Sequence, residues 1–260
     1  MPEVRLERGG ALATLVIDAP ERGNSLDADL LSQLEAHLTT LAAEVEVEGC
    51  ELRAVVLRGA GPRGFSTGYH LPSLLAELEV GPSVSDFRDH PLERALRALE
   101  ELPLPSVAVI QGNAYGAGCE LALACDLRIA SERAKLCMPP AKLGVLYSAT
   151  GMRRLLELVG PAITRELLFT ACVVDSERAL SLGLLNRVVP HEALEAEVGA
   201  VCAQISANSA LSIRHTKTIL RRFLAAQNLE AAELSEIARL RQECFDSEDF
   251  AARTAAWRQA

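Results

Sequence analysis

The spacing of apolar residues in the first part of the chain predicts strands and a helix in alternation. Strands are predicted at 11–18, where ALATLVID is almost wholly apolar, and at 53–58, where RAVVLR runs into the turn GAGPRG. Between them a helix is predicted from Asp27, which can cap it, to about residue 47. Its apolar stripe consists of Leu30, Leu34, Leu38, Leu41 and Val45. A strand, helix, strand order indicates a layered α/β core.

The pattern of apolar residues changes near residue 195, from alternating helices and strands to helices alone. Helices are predicted at 92–102 and 175–183, and strands at 107–110, 127–130 and 186–189. Beyond His191 the chain has no proline, little glycine and steady helical periodicity. We therefore predict a mixed core at residues 1–195 and a helical region at 196–260.

Composition and charge narrow the class of protein. Hydrophobic residues make up 49% of the chain, but charged residues interrupt each apolar stretch well before the roughly 20 residues that a membrane span requires. We therefore expect a soluble protein. The first ten residues lack a basic segment followed by an apolar run, which predicts no signal peptide and a cytoplasmic location. A net charge of -9 argues against nucleic acid as the main partner.

The cysteines give no sign of a metal site or of a disulfide framework. All seven are widely scattered, and they form no C-x-x-C pair and no Cys/His metal spacing. We expect reduced, mostly buried thiols.

The clearest chemical signal lies in residues 106–130, SVAVIQGNAYGAGCELALACDLRIA. An apolar strand runs into a turn with Gly112, Gly116 and Gly118, and a helix begins near Cys119. Glycines let the backbone approach a ligand closely, and a helix N-terminus offers N–H groups and a partial positive charge. Spacing alone leaves two interpretations open, an anion site or a tight turn without a ligand. The loop is neither G-x-G-x-x-G nor a Walker P-loop.

This stretch resembles the signature of the enoyl-CoA hydratase/isomerase family, which has the crotonase fold. The resemblance extends in order to GFSTGYHL at 64–71, to 139–151 with PAKLGVLYSATG, and to RELLFTACVVDSERALSLGLLNRVV at 165–189. It implies an α/β fold, a crotonase-like spiral of ββα repeats forming two stacked sheets, with a C-terminal helical region used for trimer assembly. It also implies a homotrimer or a dimer of trimers.

The resemblance further implies an acyl-CoA thioester as substrate, with coenzyme A as part of the substrate and no separate cofactor or metal. In the family two backbone N–H groups hold the thioester oxygen, and they match those of Tyr69 and Ala117. Each well-placed donor is worth on the order of 3 kcal/mol in the transition state. Arg22 matches the place where the family contacts the phosphates of coenzyme A, but it is equally well interpreted as a solvated loop charge. The residues expected to contact coenzyme A are Arg22, Ser66, Thr67, Gly68, His70, Leu71 and Gly116.

Family hydratases use two glutamates, and this chain retains one of them. Glu120 matches the base that activates water, although a glutamate in a first helical turn also simply complements the helix dipole. The second glutamate is replaced by Pro140, which cannot transfer a proton. Ordinary two-glutamate hydration is therefore disfavoured.

Locally, PAKLGVLYSATG and RELLFTA resemble the methylmalonyl-CoA decarboxylase subgroup more than hydratases. That subgroup lacks the second glutamate and uses a tyrosine that matches Tyr147 and a histidine in the loop 66–71. The histidine is out of register, because its family position matches Tyr69 whereas this chain has His70. The resulting hypothesis is decarboxylation of a malonyl-type thioester, with Tyr147 orienting the carboxylate, His70 donating a proton and Glu120 relaying protons.

Two other hypotheses remain open. One is a 2-enoyl-CoA hydratase or isomerase of fatty-acid metabolism that works with Glu120 alone. The other is a non-catalytic acyl-CoA binder, in which His70 is a histidine at the pocket rim and Tyr147 a packed loop aromatic.

Overall fold

The computed structural model describes residues 1–62, 64–79, 90–225 and 231–258. In these residues the chain forms ten strands and ten α-helices. The strands are β1 (Glu3–Gly9), β2 (Leu12–Asp18), β3 (Ala54–Gly59), β4 (Gly64–Ser66), β5 (Ser106–Ile110), β6 (Asn113–Tyr115), β7 (Leu127–Ser131), β8 (Lys135–Cys137), β9 (Val173–Asp175) and β10 (Arg187–Val189). The helices are α1 (Ala28–Val45), α2 (Leu71–Glu79), α3 (Pro91–Glu101), α4 (Ala117–Ala124), α5 (Ala149–Thr170), α6 (Ser176–Ser181), α7 (Leu194–Ala207), α8 (Ala210–Ala225), α9 (Ala231–Phe245) and α10 (Glu248–Arg258).

The strands belong to two sheets. The larger has the order β1-β2-β3-β5-β7-β10, in which β1 is antiparallel to β2 and the other neighbours are parallel. The smaller has the order β4-β6-β8-β9, with β9 antiparallel to β8. Along the chain, β3, β5 and β7 enter the large sheet while β4, β6 and β8 enter the small one. The predicted spiral of ββα repeats is confirmed.

The large sheet is covered on both faces. On one face lie α1 and α3, and the five apolar residues predicted to form the stripe of α1 are buried there. The side chain of Asp27 accepts a hydrogen bond from the backbone N–H of Leu30 and caps α1, as predicted. On the other face α7 packs through Leu194, Val198 and Val201. The sheet therefore forms a rigid base for the loops at its edge.

Most long elements agree with the sequence pattern, whereas the short strands do not. The pattern missed β1 and the whole small sheet, whose strands are three residues long and too short to show a period. It also missed α2 and α5. In α5 the backbone at Gly160 is not helical, at φ 70° and ψ 174°, and Pro161 follows it. This break divides the helix and obscures its pattern.

The C-terminal region is helical in its described residues, as predicted. Its helices α8 to α10 follow α7, and α10 contacts α2 and the short turn at Pro140–Leu143. Phe250 of α10 is buried and lies against Gly144. The boundary near residue 195 stays a prediction. Among the described helices, none has the length and apolar character needed to span a membrane.

Candidate active site

Two backbone loops meet where α4 begins. One follows β4 and the other joins β6 to α4, and glycines allow them to touch. A Cβ atom on Gly118 would lie 2.6 Å from Cβ of Ser66, and one on Gly68 would lie 2.7 Å from the carbonyl oxygen of Tyr115. Real Cβ atoms do not approach other atoms so closely, so both positions require glycine for packing.

The first loop is held in place from the side of Leu26. The N–H of Leu26 donates to the carbonyl oxygen of Gly68 at 2.8 Å, and the N–H of His70 donates to the carbonyl oxygen of Leu26 at 2.7 Å. In such a parallel bridge the residue between the two bonded positions directs its own N–H to the opposite side. The N–H of Tyr69 therefore points away from Leu26.

The second loop presents the N-terminus of α4. Gly116, at φ 51°, precedes the helix, and its carbonyl oxygen accepts a hydrogen bond from the N–H of Glu120. Ala117 is the first helical residue, where N–H groups have no partner within the helix. The N of Ala117 lies 3.5 Å from the position of a Cβ on Gly68. The two loops therefore place the N of Ala117 beside Gly68, the residue that precedes Tyr69. An anionic oxygen is the natural ligand of backbone N–H groups at a helix N-terminus.

Glu120 is buried beside this loop, with only 3% of its surface exposed. The hydroxyl of Ser148 lies 3.3 and 3.5 Å from its two carboxylate oxygens. Ser148 is also the N-cap of α5, because its Oγ accepts a hydrogen bond from the N–H of Gly151 at 3.0 Å. Glu120 therefore lies in the first turn of α4 and beside the N-terminus of α5, where both helix dipoles favour a negative charge.

Tyr147 is buried next to Glu120 and stays a neutral phenol. Its hydroxyl donates to the sulfur of Met138 at 3.2 Å. Burial, followed by the negative charge of Glu120, raises the pKa of Tyr147 well above its usual value. Gly151 makes room for the ring, because a Cβ there would lie 2.6 Å from Cε1 of Tyr147. The site therefore keeps a proton-bearing hydroxyl beside a carboxylate.

The position of the missing second glutamate carries no ionisable side chain. Pro139 lies 3.8 Å from the position of a Cβ on Gly116, and Pro140 begins the short turn that follows. Lys142, two residues later, is exposed.

Arg22 and His70 belong to a second group, around Asp27. Arg22 Nη2 forms an ion pair with Asp27 Oδ2 at 2.7 Å. Burial raises the pKa of Asp27, but the Leu30 N–H, Arg22 and His70 together outweigh it and hold this pKa below its usual value. The ring of His70 contacts Ser73, with Nδ1 2.9 Å from Oγ. The structure therefore brings Glu120 and Tyr147 together and places Arg22 and His70 in this second group.

Three further residues predicted to contact coenzyme A lie in the loop after β4 or directly beside it: Ser66, Thr67 and Leu71. Ser66 is buried, and its Oγ donates to the carbonyl oxygen of Asn24 at 2.7 Å and accepts from the N–H of Gly68 at 3.2 Å. Thr67 is exposed, and its N–H donates to the carbonyl oxygen of Gly23 at 3.0 Å. Leu71 is the first residue of α2.

Four polar residues near Glu120 were not predicted from the sequence: Ser148, Thr150, Glu93 and Arg154. Thr150 donates to Glu93 Oε2 at 2.7 Å, and Arg154 donates to Glu100 Oε1 at 2.6 and 3.0 Å. Glu93 and Arg154 are buried, with 6% and 5% of their surfaces exposed. One signal was available, because Glu93 precedes Leu96 by three positions and so shares the apolar face of α3.

Comparison with known proteins agrees with this geometry. Residues 7–257 match the family model described as enoyl-CoA hydratase/isomerase. A short-chain-enoyl-CoA hydratase of Clostridium acetobutylicum is 31% identical over 247 residues, covering 95% of this chain and 90% of that protein. A methylmalonyl-CoA decarboxylase of Escherichia coli is 32% identical over 201 residues, covering 77% of this chain and 76% of that protein.

Solved structures give the same result for the fold. A methylmalonyl-CoA decarboxylase in complex with 2-nitronate-propionyl-CoA has a TM-score of 0.87 and 28% identity, and the match covers 98% of this chain and 95% of that one. An enoyl-CoA hydratase/carnithine racemase from Magnetospirillum magneticum has a TM-score of 0.78 and 29% identity, covering 100% and 93%. The chain therefore belongs to the enoyl-CoA hydratase/isomerase family, has the crotonase fold and is an enzyme that acts on acyl-CoA thioesters.

Proposed function

We propose that this enzyme decarboxylates a malonyl-type CoA thioester through an enolate. The observation that carries the proposal is the composition of the buried site. The carboxyl group of Glu120 lies beside a neutral phenol, Tyr147, and by family resemblance Pro140 matches the position from which hydratases deliver the second proton.

The first step is loss of CO2. When the bond between the α-carbon and the carboxylate breaks, its electron pair stays on the α-carbon and passes into the thioester as an enolate. This step needs no base. The backbone N–H groups of Tyr69 and Ala117 receive the developing negative charge on the thioester oxygen, and each contributes on the order of 3 kcal/mol.

Two side chains serve this reaction in different steps. Tyr147 keeps its proton, so its hydroxyl can donate to the substrate carboxylate and orient it for cleavage. Glu120 takes up a proton from solvent and gives it to the α-carbon. The sequence hypothesis assigned the proton to His70. The contact of His70 with Ser73 and its electrostatic interaction with Asp27 favour Glu120 for this role instead.

The similarity to decarboxylases supports the proposal without excluding hydration. The solved methylmalonyl-CoA decarboxylase matches nearly the whole chain and is in complex with an acyl-CoA ligand, 2-nitronate-propionyl-CoA. We propose on the same family relation that coenzyme A binds through the loop 66–71 and Arg22. Arg22 pairs with Asp27 through Nη2 and keeps 22% of its side chain exposed, and its Nε has no hydrogen-bond partner among the described residues.

A second candidate is hydration or isomerisation of an enoyl-CoA by Glu120 alone. It is favoured by the hydratase of Clostridium acetobutylicum, which aligns with 95% of this chain. The burial of Glu120 beside the two amides suits a base as well as an acid.

Mass-spectrometric product analysis separates these functions. The purified protein is incubated with methylmalonyl-CoA and with crotonyl-CoA, and acetyl-CoA binding is followed by calorimetry. Our proposal predicts release of CO2 from methylmalonyl-CoA. Addition of water to crotonyl-CoA instead would establish the second candidate, and binding without turnover would establish an acyl-CoA binder.

We also propose that the enzyme is a homotrimer or a dimer of trimers. Helix α8 exposes several large apolar side chains, which a partner subunit would cover: Leu211, Ile219, Leu220, Phe223 and Leu224. Light scattering at micromolar concentration tests this, and a stable monomer would contradict it.

A further inference from the structure

The loop that carries Tyr69 follows a strand with little support of its own. β4 (Gly64–Ser66) is three residues long and lies at an end of the small sheet, beside β6. Its register with β6 shifts between Gly64 and Ser66. A short, irregular edge strand makes few ladder hydrogen bonds, so contacts from outside the sheet must fix the position of the loop that follows.

Asn24 is buried against the turn that leads into β4, with 2% of its surface exposed. Its side-chain Nδ2 donates to the carbonyl oxygens of Ala60 at 2.9 Å and of Gly64 at 3.1 Å. Its Oδ1 accepts a hydrogen bond from the N–H of Ala19 at 3.0 Å. These partners define the orientation of the amide, because a carbonyl oxygen only accepts and a backbone N–H only donates. The side chain therefore ties two backbone segments together.

The backbone of Asn24 is linked to the residue that precedes Tyr69. Ser66 Oγ donates to the carbonyl oxygen of Asn24 at 2.7 Å and accepts from the N–H of Gly68 at 3.2 Å. The N–H of Leu26 donates to the carbonyl oxygen of Gly68 at 2.8 Å. That carbonyl group and the N–H of Tyr69 belong to one planar trans peptide, in which they point in opposite directions. The segment around Asn24 therefore sets the direction of the Tyr69 N–H.

A second buried amide holds the same turn from the side of Ala117. Gln111 is 3% exposed, and its Nε2 donates to the carbonyl oxygens of Gly59 at 2.7 Å and of Gly64 at 3.0 Å. Gln111 directly follows β5 and leads through β6 to the loop that presents Ala117. The carbonyl oxygen of Gly64 therefore accepts from both Asn24 and Gln111, and it connects the two loops of the site.

The backbone conformation and the packing of Asn24 both suit this role. Its φ of 54° lies in the left-handed region, which asparagine tolerates better than most residues with a side chain. A Cβ on Gly59 would lie 2.6 Å from Nδ2 of Asn24, so the turn packs directly against the amide. A buried carbonyl group that loses its donor is costly, and the turn should shift if the amide is removed.

We propose that Asn24 is a positioning residue of the oxyanion site, and that Gln111 assists it through the shared carbonyl group of Gly64. The side chain of Asn24 fixes the turn before β4, and its carbonyl group fixes Gly68 through the hydroxyl between them. The N–H of Tyr69 is thereby held towards the thioester oxygen. Asn24 acts through the backbone of Tyr69, and the inference rests on the proposed function, in which that N–H is one of the two donors.

The stretching frequency of the bound thioester carbonyl tests this role without turnover. Propionyl-CoA labelled with 13C at the carbonyl carbon saturates the enzyme, and infrared difference spectra against unlabelled ligand isolate its band. Oxyanion donors polarise the carbonyl group and should lower its frequency below the value in water. Asn24→Gly keeps the left-handed backbone and removes the amide. Its band should return towards the value in water, and CO2 release from methylmalonyl-CoA should fall by about 10- to 100-fold.

A second variant and a matched control complete the comparison. Gln111→Met keeps the length of the side chain but removes its donor, and it should move the band in the same direction. It decides the question if Asn24→Gly does not fold. Asn186→Gly is the control, because it makes the same substitution at an exposed position and removes a 2.8 Å hydrogen bond from Oδ1 to the N–H of Arg128. Its band should stay at the wild-type frequency.

The outcomes separate the positioning role from the reaction. A wild-type band in folded Asn24→Gly, or in Gln111→Met where Asn24→Gly does not fold, would overturn the proposal, and a lowered unfolding temperature alone would then mark the amide as structural. An equal shift in Asn186→Gly would also overturn it. Failure of the wild type to lower the band would reject the oxyanion pair itself. Shifted bands in Asn24→Gly and Gln111→Met, with no CO2 release by the wild type, would support the positioning role and reject decarboxylation.

Discussion

The two groups of polar residues at the site differ in their surroundings, and the difference indicates which of them performs chemistry. Glu120 and Tyr147 are buried, where charge is costly and each proton has a defined place. Arg22, Asp27 and His70 are half-buried, and Arg22 and Asp27 form an ion pair. The family resemblance implied chemistry for Glu120 and Tyr147 and a coenzyme A contact for Arg22, and it implied both roles for His70. We propose that the first group performs the chemistry and the second recognises coenzyme A, and the predictions below test this division.

The largest expected effect comes from closing the space between the two amide-bearing loops. Gly118→Ala places a methyl group 2.6 Å from Ser66, so α4 must shift away from the loop of Tyr69. Turnover should fall by about 100- to 1000-fold, the effect of misplacing oxyanion donors. Gly199→Ala is the control, because its added Cβ meets no atom within 4 Å. Equal activities of the two variants would contradict the assignment of the amides.

The buried group gives the next largest effect. Tyr147→Phe keeps the ring but removes the hydroxyl that orients the substrate carboxylate. Release of CO2 from methylmalonyl-CoA should fall by about 10- to 100-fold, measured as kcat by mass spectrometry. The ring still fills the space above Gly151, so circular dichroism should show an unchanged fold. Normal CO2 release in this variant would leave Tyr147 as a packed loop aromatic.

Substitutions in the half-buried group of Arg22, Asp27 and His70 should affect substrate binding more than chemistry. Arg22→Gln removes the cation that we expect to contact a coenzyme A phosphate. KM should rise by about 10-fold while kcat stays nearly constant, since the contact is the same in ground and transition states. A fall in kcat at constant KM would show that Arg22 takes part in the chemistry, and it would contradict the division into a catalytic group and a recognition group.

The smallest effect concerns stability and pH. Asp27→Ala removes the cap of α1 and should lower the free energy of unfolding by about 1 kcal/mol at pH 7. Because the pKa of Asp27 is lowered in the folded state, its contribution is complete above the unfolded pKa of about 4 and is lost as the pH falls through the lower folded value. Urea titrations at several pH values should show the two proteins converging in acid. A difference in unfolding free energy that does not change with pH would contradict a stabilising charge on Asp27.

The sequence predicted the parts of this account that depend on local pattern. Leucines at helical spacing identified α1, and the motif around Glu120 identified the loop that presents Ala117. The strands of the small sheet stayed hidden, because three residues show no period. Glu93 and Thr150 are 57 positions apart, and His70 differs from its family position by one residue. No local pattern reports such contacts, since they depend on how the helices pack.

The most direct test of the central claim is CO2 release from methylmalonyl-CoA by Glu120→Gln in D2O, compared with the wild type. If Glu120 acts only after the carbon–carbon bond has broken, the variant should release CO2 within about 10-fold of the wild-type rate. Its propionyl-CoA should then carry deuterium without the stereospecificity that a positioned acid gives. Hydration of crotonyl-CoA by the wild type, with nearly complete loss in Glu120→Gln and no CO2 release by either protein, would contradict the account.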